Sequence, residues 1–487
     1  MGAIDLLASY FGFEEHDTDF TTELVAGITT FLAMSYIIVV NPTVLLPAIM
    51  GFNEQGDINQ QTTINGAVYE SNEVFQMLAI ATIIASVVAI LVMALYANRP
   101  FGLAPGMGLN AFFTFTVVIG MGIPWQTALA AVFVEGIIFI AITAVGARKY
   151  VINLFPEPVK FSVGAGIGVF LLFIGLQEMQ VVTGDPATLV TLGNVAQNPA
   201  AILGLAGLFL TFILWARGMK GAIIAGIVTT AVAGWGLLLT GVASASALAP
   251  ETLLDERTGE VTFEAVTSPH YDITPLAGAF VEGLRDIDPL TFVLVVFTFF
   301  FVDFFDTAGT LIGVAQFGDF LDEDGELPEA EKPLMADAVG TTVGAMVGTS
   351  TVTTFVESST GVEEGGRTGF TALVVAILFA LSLVAVPVVA AIPAYASFIA
   401  LVAVGVIMLQ GVLDIDWQDP AWSVSAGLTI TIMPLTYSIA TGLAAGIIAY
   451  PLIKTAVGER RDVRLGQWAI AVALVGYFYV ATSGMLG

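Results

Sequence analysis

The sequence contains no cysteine and only two histidines among its 487 residues. The lack of cysteine excludes disulfides and thiolate chemistry. His16 and His270 both lie outside the apolar stretches, so no haem or zinc site is expected inside a bilayer. An enzyme that works inside a membrane needs either a nucleophile paired with a base or a cluster of metal ligands. The apolar stretches contain no histidine or cysteine that could belong to such a pair or cluster. We therefore expect no enzyme activity and no cofactor.

Charge is also scarce, since only 11% of the residues are charged and 57% are hydrophobic, with a mean hydropathy of +0.90. An ordinary soluble domain has about 25% charged residues. So few charges cannot cover a water-facing surface, and lipid admits only helices or closed barrels. The apolar stretches run for about 20 residues without strict alternation, which favours helices. The composition predicts an all-α polytopic membrane protein.

Basic residues are much fewer than acidic residues. The sequence has 14 Lys and Arg against 41 Asp and Glu, which gives a formal net charge of −27. This balance excludes nucleic acid as a natural partner. The acidic residues cluster in predicted loops, and we interpret this as a salt-adapted, halophilic surface. The alternative is a solvated acidic exterior without any adaptation to salt.

The apolar runs predict fourteen membrane spans, seven in each half of the chain. Their approximate bounds are 23–48, 73–97, 101–121, 124–146, 162–181, 199–216, 219–243, 289–314, 334–350, 352–364, 368–391, 393–413, 420–436 and 438–456. The chain is predicted to begin with an N-terminal cytoplasmic segment (1–22) and a first repeat (23–243). An extracellular loop (244–288), a second repeat (289–456) and a C-terminal part (457–487) follow. The C-terminal part holds a basic stretch and an apolar segment, 467–482, which crosses the membrane or lies along it.

The distribution of basic residues predicts the orientation, because cytoplasmic loops carry an excess of Lys and Arg. With the N-terminus inside, twelve of the fourteen basic residues are cytoplasmic, and only Arg257 and Arg285 are outside. Because the N-terminus is acidic and lacks a short apolar run, we expect no signal peptide. We expect a multi-pass plasma-membrane protein with a cytoplasmic N-terminus. Two halves with an odd number of spans have opposite orientations, which is the inverted-repeat plan of many secondary transporters.

Two predicted spans are interrupted, and each is the third span of its half. Span 3 begins at 101–113, where one proline and three glycines fall within seven residues. Span 10, at 352–364, is short, rich in Ser and Thr, and carries Glu357. Short, broken segments at matching positions are typical of a transporter's central binding site. Close helix packing by glycine is the alternative interpretation for span 3.

Several acidic residues lie within predicted spans, where each costs about 3 kcal/mol at the helix centre. Asp303 and Asp306 share one helix face in span 8, and Glu357 lies in span 10. Spans 3, 8 and 10 hold no base that could neutralise them, which suits proton coupling. Glu135 lies mid-helix in span 4 and is interpreted as structural. Asp337, in span 9, is interpreted as a residue that caps a helix near the cytoplasmic end.

These motifs together resemble the AzgA-like adenine and guanine/hypoxanthine permease branch of the nucleobase:cation symporter-2 family. The resemblance covers residues 20 to about 456, and its motifs lie at 27–37, 40–42, 104–113, 164–170, 301–313, 348–358 and 365–369. It implies a seven-plus-seven inverted repeat with short strands in spans 3 and 10. It also implies a core domain of spans 1–4 and 8–11 and a gate domain of spans 5–7 and 12–14.

The resemblance further implies proton symport of a purine by alternating access. The residues assigned to substrate binding are Asp303, Glu357, Asn110, Gly108, Phe355 and Thr354, and those assigned to proton coupling or support are Asp306, Glu357 and Ser358. A carboxylate accepts from adjacent purine N–H groups, and an amide both donates and accepts. Uracil, xanthine or an inorganic anion remain alternative substrates, although spans 3, 8 and 10 hold no base for an anion. Sodium instead of protons and a homodimer also remain open.

Overall fold

The computed structural model describes residues 3–53, 58–146, 155–254, 260–267, 269–285, 289–318, 320–322 and 327–482. The protein is mostly helical, with about 70% of the chain in helices. The α-helices are α1 Ala3–Phe11, α2 Phe20–Met34, α3 Ile37–Met50, α4 Ser71–Val92, α5 Met107–Ala111, α6 Trp125–Ala144, α7 Glu157–Glu178, α8 Pro199–Ala216, α9 Ala222–Leu239, α10 Ala245–Leu248, α11 Glu264–Thr267, α12 Phe280–Gly283, α13 Pro289–Phe317, α14 Glu331–Val347, α15 Ser358–Glu363, α16 Gly369–Leu381, α17 Val386–Val389, α18 Ala394–Ser397, α19 Ile399–Met408, α20 Pro420–Thr436, α21 Ile439–Ala456 and α22 Leu465–Thr482.

Shorter elements connect or extend these helices. π-Helical turns continue α4 over Met93–Ala97 and α5 over Phe112–Gly120. The 3₁₀ segments are Val195–Gln197, Glu251–Leu253, Ser382–Ala385, Leu409–Asp414 and Arg460–Asp462. The strands are β1 Gln61–Ile64, β2 Ala67–Glu70, β3 Leu103–Pro105, β4 Val182–Asp185, β5 Leu189–Leu192 and β6 Val352–Thr354. They form three antiparallel pairs: β1 with β2, β3 with β6, and β4 with β5.

Within the described residues, nine helical segments are long and apolar enough to cross a membrane. They are Phe20–Met50, Ser71–Ala97, Trp125–Ala144, Glu157–Glu178, Pro199–Ala216, Ala222–Leu239, Gly369–Val389, Ala394–Asp414 and Ile439–Ala456. Shorter apolar helices occupy Met107–Gly120, Thr291–Phe304 and Leu465–Gly476. A chain with this many apolar helices is a multi-pass membrane protein.

Local capping residues explain where two of the helices begin. Asn198 accepts hydrogen bonds from the backbone at the start of α8, and Pro199 follows as the first helical residue. Asp419 and Pro420 repeat this arrangement at α20. A side-chain acceptor followed by proline is a strong start signal, because proline lacks the N–H that would otherwise need a partner. Both helices have the bounds that the sequence predicts, 199–216 and 420–436.

By its internal contacts the chain divides into two compact units, Met1–Ala141 with Ile174–Ala403, and Ile142–Phe173 with Val404–Gly487. In the larger unit, α4 packs against α3, α14 and α16. In the smaller unit, α20 and α21 pack together through a turn at Tyr437, which has a left-handed backbone, and α22 packs on α21. The core and gate domains implied by the resemblance remain a prediction.

The pairing of β3 with β6 holds the two interrupted segments together inside the larger unit. Leu103 lies opposite Thr354 and Pro105 lies opposite Val352. Gly106 directly follows β3, and a Cβ at that position would lie 2.7 Å from the Thr353 side chain. Only glycine therefore lets the two segments approach so closely. Because the strands are antiparallel, the helices that follow them, α5 and α15, leave the pair in opposite directions.

Candidate functional site

The candidate site is built around the β3–β6 pair, whose ends are fixed by bonds beyond the strands. The Gly106 N–H donates to the Thr351 carbonyl at 3.0 Å, and the Phe355 N–H donates to the Gly102 carbonyl at 3.0 Å. The Gly102 N–H donates to the Ser358 hydroxyl oxygen at 2.9 Å. Ser358, which the sequence assigns a supporting role, thus joins the start of α15 to β3. All backbone polar groups in a membrane interior need such partners.

Glu357 lies at the N-terminal boundary of α15 and is partly exposed. The phenol of the buried Tyr36 donates to its Oε1 atom at 2.6 Å. Tyr36 occupies the break between α2 and α3, and its ring lies 6.3 Å from that of the buried Phe355. Asp306, also partly exposed, interacts electrostatically with Glu357. One carboxylate oxygen is therefore fixed by the protein while the carboxylate remains partly open.

Asn110 lies in α5 at the end of a buried amide chain. Its Nδ2 donates to Asn41 Oδ1 at 2.9 Å, and Asn41 Nδ2 donates to the hydroxyls of Thr82 and Thr349 at 2.7 and 2.8 Å. The Thr82 hydroxyl proton goes to the Leu78 carbonyl, so that hydroxyl can only accept from Asn41. This fixes the direction of both amides. Among the described residues nothing donates to Asn110 Oδ1, which leaves a buried acceptor for a ligand.

Asp303 and Asp337 lie beside β6 on neighbouring helices and are both fully buried. The Thr307 hydroxyl lies 3.3 Å from Asp303 Oδ1 and also contacts Asp337 Oδ2 and the Thr353 hydroxyl. The Thr354 hydroxyl donates to Asp337 Oδ1 at 2.9 Å. Asp337 therefore holds β6 in place, and the interpretation of this residue as a helix cap is wrong.

Glu135, in the middle of α6, is fully buried and faces the same group of acids. Its carboxyl group interacts with that of Asp303 and lies near the Thr351 hydroxyl. Helix α6 approaches closely here, since a Cβ on Gly136 would lie 2.6 Å from the Thr342 hydroxyl. No group of three or more His, Cys, Asp or Glu side chains in the described residues is arranged to hold a metal ion.

The structure brings the sequence-assigned residues together in one unit, but in different roles. Asn110 and Glu357 present acceptor groups, whereas the Thr354 hydroxyl and Ser358 are engaged in holding the strands. Gly108 is buried in α5, one turn from the strand pair. Sequence reasoning did not identify Tyr36, whose partner is 321 residues away and gives no local signal.

A family model described as a permease family matches residues 21–445. This chain belongs to that permease family, the nucleobase:cation symporter-2 proteins. The resemblance inferred from the sequence motifs is confirmed, and the protein is a membrane permease and not an enzyme. The assignment of Glu357, Asn110 and Asp303 to a transport site of this permease remains a prediction.

Two curated relatives match almost end to end. Guanine/hypoxanthine permease PbuG of Bacillus subtilis (strain 168) is 39% identical over 97% of this chain and 99% of its own length. Adenine permease AdeP of Escherichia coli (strain K12) is 36% identical over 96% of this chain and 95% of its own length.

Among solved structures, the transmembrane domain of the cyanobacterial bicarbonate transporter BicA is similar in fold. Its TM-score is 0.58 at 15% identity, covering 88% of this chain and 97% of that domain. Murine Slc26a9, an anion transporter in the inward-facing state, gives a TM-score of 0.57 at 11% identity and covers 90% of this chain and 69% of that one. At these identities the similarity concerns the fold alone.

Proposed function

We propose that this permease imports purine nucleobases, namely adenine, guanine or hypoxanthine, by proton symport and alternating access. The observation that carries the proposal is the pair of full-length relatives, one named a guanine/hypoxanthine permease and the other an adenine permease. A chain that matches both over more than nine-tenths of its length retains the whole transport framework. The substrate is accordingly a flat heterocycle with N–H donors and ring acceptors.

The site chemistry supports a purine as the ligand. The Glu357 carboxylate is fixed by Tyr36 and partly exposed, so it can accept from adjacent ring N–H groups. Asn110 contributes an acceptor with no protein donor among the described residues. The short helix α15 begins beside Glu357, and Phe355 and Tyr36 supply aromatic surface there. In this proposal Asp303 and Thr354 complete the substrate side, and Asp306 and Ser358 support it.

An inorganic anion is the alternative that the fold neighbours suggest, since both of those proteins carry anions or bicarbonate by name. The charge of the candidate site favours a neutral base over an anion, because Glu357, Asp306, Asp303 and Asp337 are all acids. An anion would need a base or free N–H donors close to these carboxyl groups. Uracil and xanthine also present ring N–H donors and acceptors to the site. Competition between each of them and a labelled purine for uptake distinguishes these substrates.

We further propose the seven-plus-seven inverted repeat, with core spans 1–4 and 8–11 and gate spans 5–7 and 12–14. The protein would lie in the plasma membrane with its N-terminus in the cytoplasm. The count of twelve basic residues inside against two outside supports this orientation. A homodimer fits the same architecture, and cysteine accessibility labelling of this naturally cysteine-free chain would test the topology directly.

Uptake of labelled adenine, guanine, hypoxanthine and uracil into vesicles containing the purified chain tests the proposal. A pH gradient should drive accumulation of at least one purine. Glu357→Gln and Asp303→Asn should each lower uptake about 100-fold, since a lost charged hydrogen bond costs about 3 kcal/mol. Glu282→Gln, which changes an exposed acid on α12, is the matched control and should transport normally. Absence of purine uptake in the unaltered protein would refute the proposal.

We also propose that the acidic exterior adapts the protein to high salt. A net charge of −27 destabilises a compact chain by self-repulsion unless counterions screen it. Melting temperature and purine uptake should both rise as potassium chloride increases from about 0.1 M to molar concentration, because the screening length falls from about 10 Å to about 3 Å. Full activity and stability in dilute buffer would contradict this adaptation.

A further inference from the structure

Glu135 and Asp303 form a buried pair of acids that the assigned substrate contacts do not explain. Both side chains are fully buried, and their carboxyl groups interact directly. Neither Glu135 oxygen, nor Asp303 Oδ2, has a hydrogen-bond partner at normal distance in the described residues, although the Thr351 hydroxyl lies near Glu135. A satisfied structural carboxylate would show donors on its oxygens, as buried polar groups in folded proteins nearly always do.

The groups around the pair are acids and hydroxyls. Glu135 faces Asp303 on α13, Asp337 on α14 and the Thr351 hydroxyl beside β6. Asp303 faces Glu135, Asp337 and also Asp306 on its own helix. No Lys, Arg or His is among the described groups that interact with the pair. Repulsion between two buried carboxylates is therefore uncompensated by any positive charge.

A single proton held between the two carboxyl groups supplies the missing hydrogen-bond donor and removes the repulsion between two negative charges. Two ionised carboxylates can only accept, whereas a protonated one becomes an O–H donor to the other. We propose that Glu135 and Asp303 share one proton and together form the coupling site of the permease, with Glu135 as the proton-holding residue. This inference rests on the proposed symport function, and it assigns a role to a residue that the sequence motifs leave as structural.

The hydroxyl of Thr307 offers a route from this pair to the substrate side. It contacts Asp303, Asp337 and the Thr353 hydroxyl of β6, yet it has a single proton to donate. When Asp303 is ionised and the proton resides on Glu135, the Thr307 proton is drawn to Asp303. When Asp303 is protonated, the Thr307 proton turns to Asp337 or Thr353. The proton position thus changes the bonding of the strand that leads to Phe355 and Glu357.

The transfer itself balances without any further reactant. The proton moves from the Asp303 carboxyl to the Glu135 carboxylate, which leaves Asp303 ionised and the pair with one negative charge. Ionised Asp303 is the form that accepts from a purine N–H in the proposed symport. Loss of the shared proton would leave two adjacent buried negative charges with no positive partner among the described groups, so the pair retains its proton while the site is closed around the purine.

The test compares the full-length protein with Glu135→Gln, Glu135→Asp and the exposed control Glu282→Gln in vesicles. One assay follows purine-driven proton entry with an entrapped pH dye, and the other follows purine exchange at equal pH on both sides. Glu135→Gln should lose proton entry by at least about tenfold while exchange stays within about threefold of the unaltered protein. Glu135→Asp and Glu282→Gln should retain both activities.

Three outcomes would overturn the assignment. Proton entry at the normal rate in Glu135→Gln would show that the residue holds no coupled proton, and equal loss of exchange and proton entry would show a role in binding or structure instead. Accumulation driven by a sodium gradient at equal pH, without proton entry, would replace the proton with sodium. That last result would leave the purine proposal intact.

Infrared spectroscopy keeps the inference testable even if Glu135→Gln fails to fold or if no purine binds. The substrate-free protein should show the carbonyl stretch of a protonated buried carboxyl group. Glu135→Asp should shift that band, because residue 135 either carries the shared proton or accepts it in a hydrogen bond from Asp303. An unshifted band would place the proton on another residue and overturn the inference. Failure of purine binding in the unaltered protein, with a shifted band, would refute the proposed substrate but support the shared proton.

Discussion

Glu23 and Glu135 are both glutamates with no exposed surface, yet their surroundings are opposite. Glu23, on α2, accepts from three backbone N–H groups and two hydroxyls at the start of α16. The donors are the N–H groups of Arg367, Thr368 and Thr371 and the side chains of Thr368 and Thr371, at 2.7 to 3.3 Å. Glu135, on α6, has no such donor among the described residues. The same residue type serves a structural role at one place and remains available for chemistry at the other.

The comparison shows that burial alone does not identify a functional acid in a membrane protein. A carboxylate at a helix N-terminus replaces the missing intrahelical partners and meets the positive end of the helix dipole. Glu23 does this for a helix that is distant in sequence, so it ties α2 to α16. Unpaired carboxyl oxygens, by contrast, are costly and persist where the group must change its protonation or its ligand.

The largest effect we predict is the loss of stability in Glu23→Ala. The substitution leaves three backbone N–H groups and two hydroxyls without their acceptor, and each unsatisfied buried donor costs about 1–3 kcal/mol. We expect the free energy of unfolding, measured by denaturant titration in detergent, to fall by at least about 3 kcal/mol. Glu282→Ala, at an exposed position on α12, is the control and should change little. A loss below about 1 kcal/mol would mean that water or Thr368 itself satisfies the donors.

A smaller effect should separate the two buried glutamates under one identical substitution. Glu23→Gln replaces one acceptor oxygen with a donor that faces other donors, so stability should fall by about 1–3 kcal/mol. Glu135→Gln supplies an N–H donor toward Asp303 and removes one acid from the pair, so stability should stay equal or rise by about 1 kcal/mol. Both are read from the same denaturant titrations. Equal losses in the two variants would remove the distinction between a satisfied and an unsatisfied acid.

Local signals account for the parts of the fold that the sequence predicts well. Asn198 with Pro199, and Asp419 with Pro420, place a side-chain acceptor directly before a proline, and the helices begin there. The interruption at Gly106 was likewise readable, because proline and glycine disrupt a helix wherever they cluster. Such signals act over a few residues and need no knowledge of the partner segments.

Long-range contacts account for what the sequence could not provide. The first predicted span, 23–48, is two helices in the structure, and Tyr36 at their junction bonds to Glu357 in the opposite half. The sequence alone favours a structural role for Glu135, because this residue lies mid-helix and far from any break. Its relation to Asp303 exists only after α6 packs against α13. The residue types and motifs of the sequence are enough to predict the candidate transport acids. The residues that bond to these acids become apparent only in the folded structure.

The smallest effect we predict concerns Asp19, an exposed cap that contrasts with the buried cap Glu23. Asp19 Oδ1 accepts from the N–H groups of Thr21 and Thr22 at 2.8 and 3.0 Å. The hydrogen bonds from Thr22 and Thr21 lower the pKa of Asp19 below its ordinary value of 3.8. Because the folded-state pKa is the lower one, the cap stabilises the protein fully above 3.8 and loses this contribution as the pH falls through the folded value.

Asp19→Ala should therefore lower the melting temperature slightly near neutral pH. The difference from the unaltered protein should shrink as the pH falls below the ordinary aspartate value. Asp19→Asn keeps a neutral acceptor at the same position, so its difference from Asp19→Ala should not depend on pH. A constant difference between the unaltered protein and Asp19→Ala down to about pH 2 would show that ionisation of the cap contributes nothing. The contrast with Glu23 would then arise from the number of donors alone, and not from the charge that each carboxylate brings to its helix.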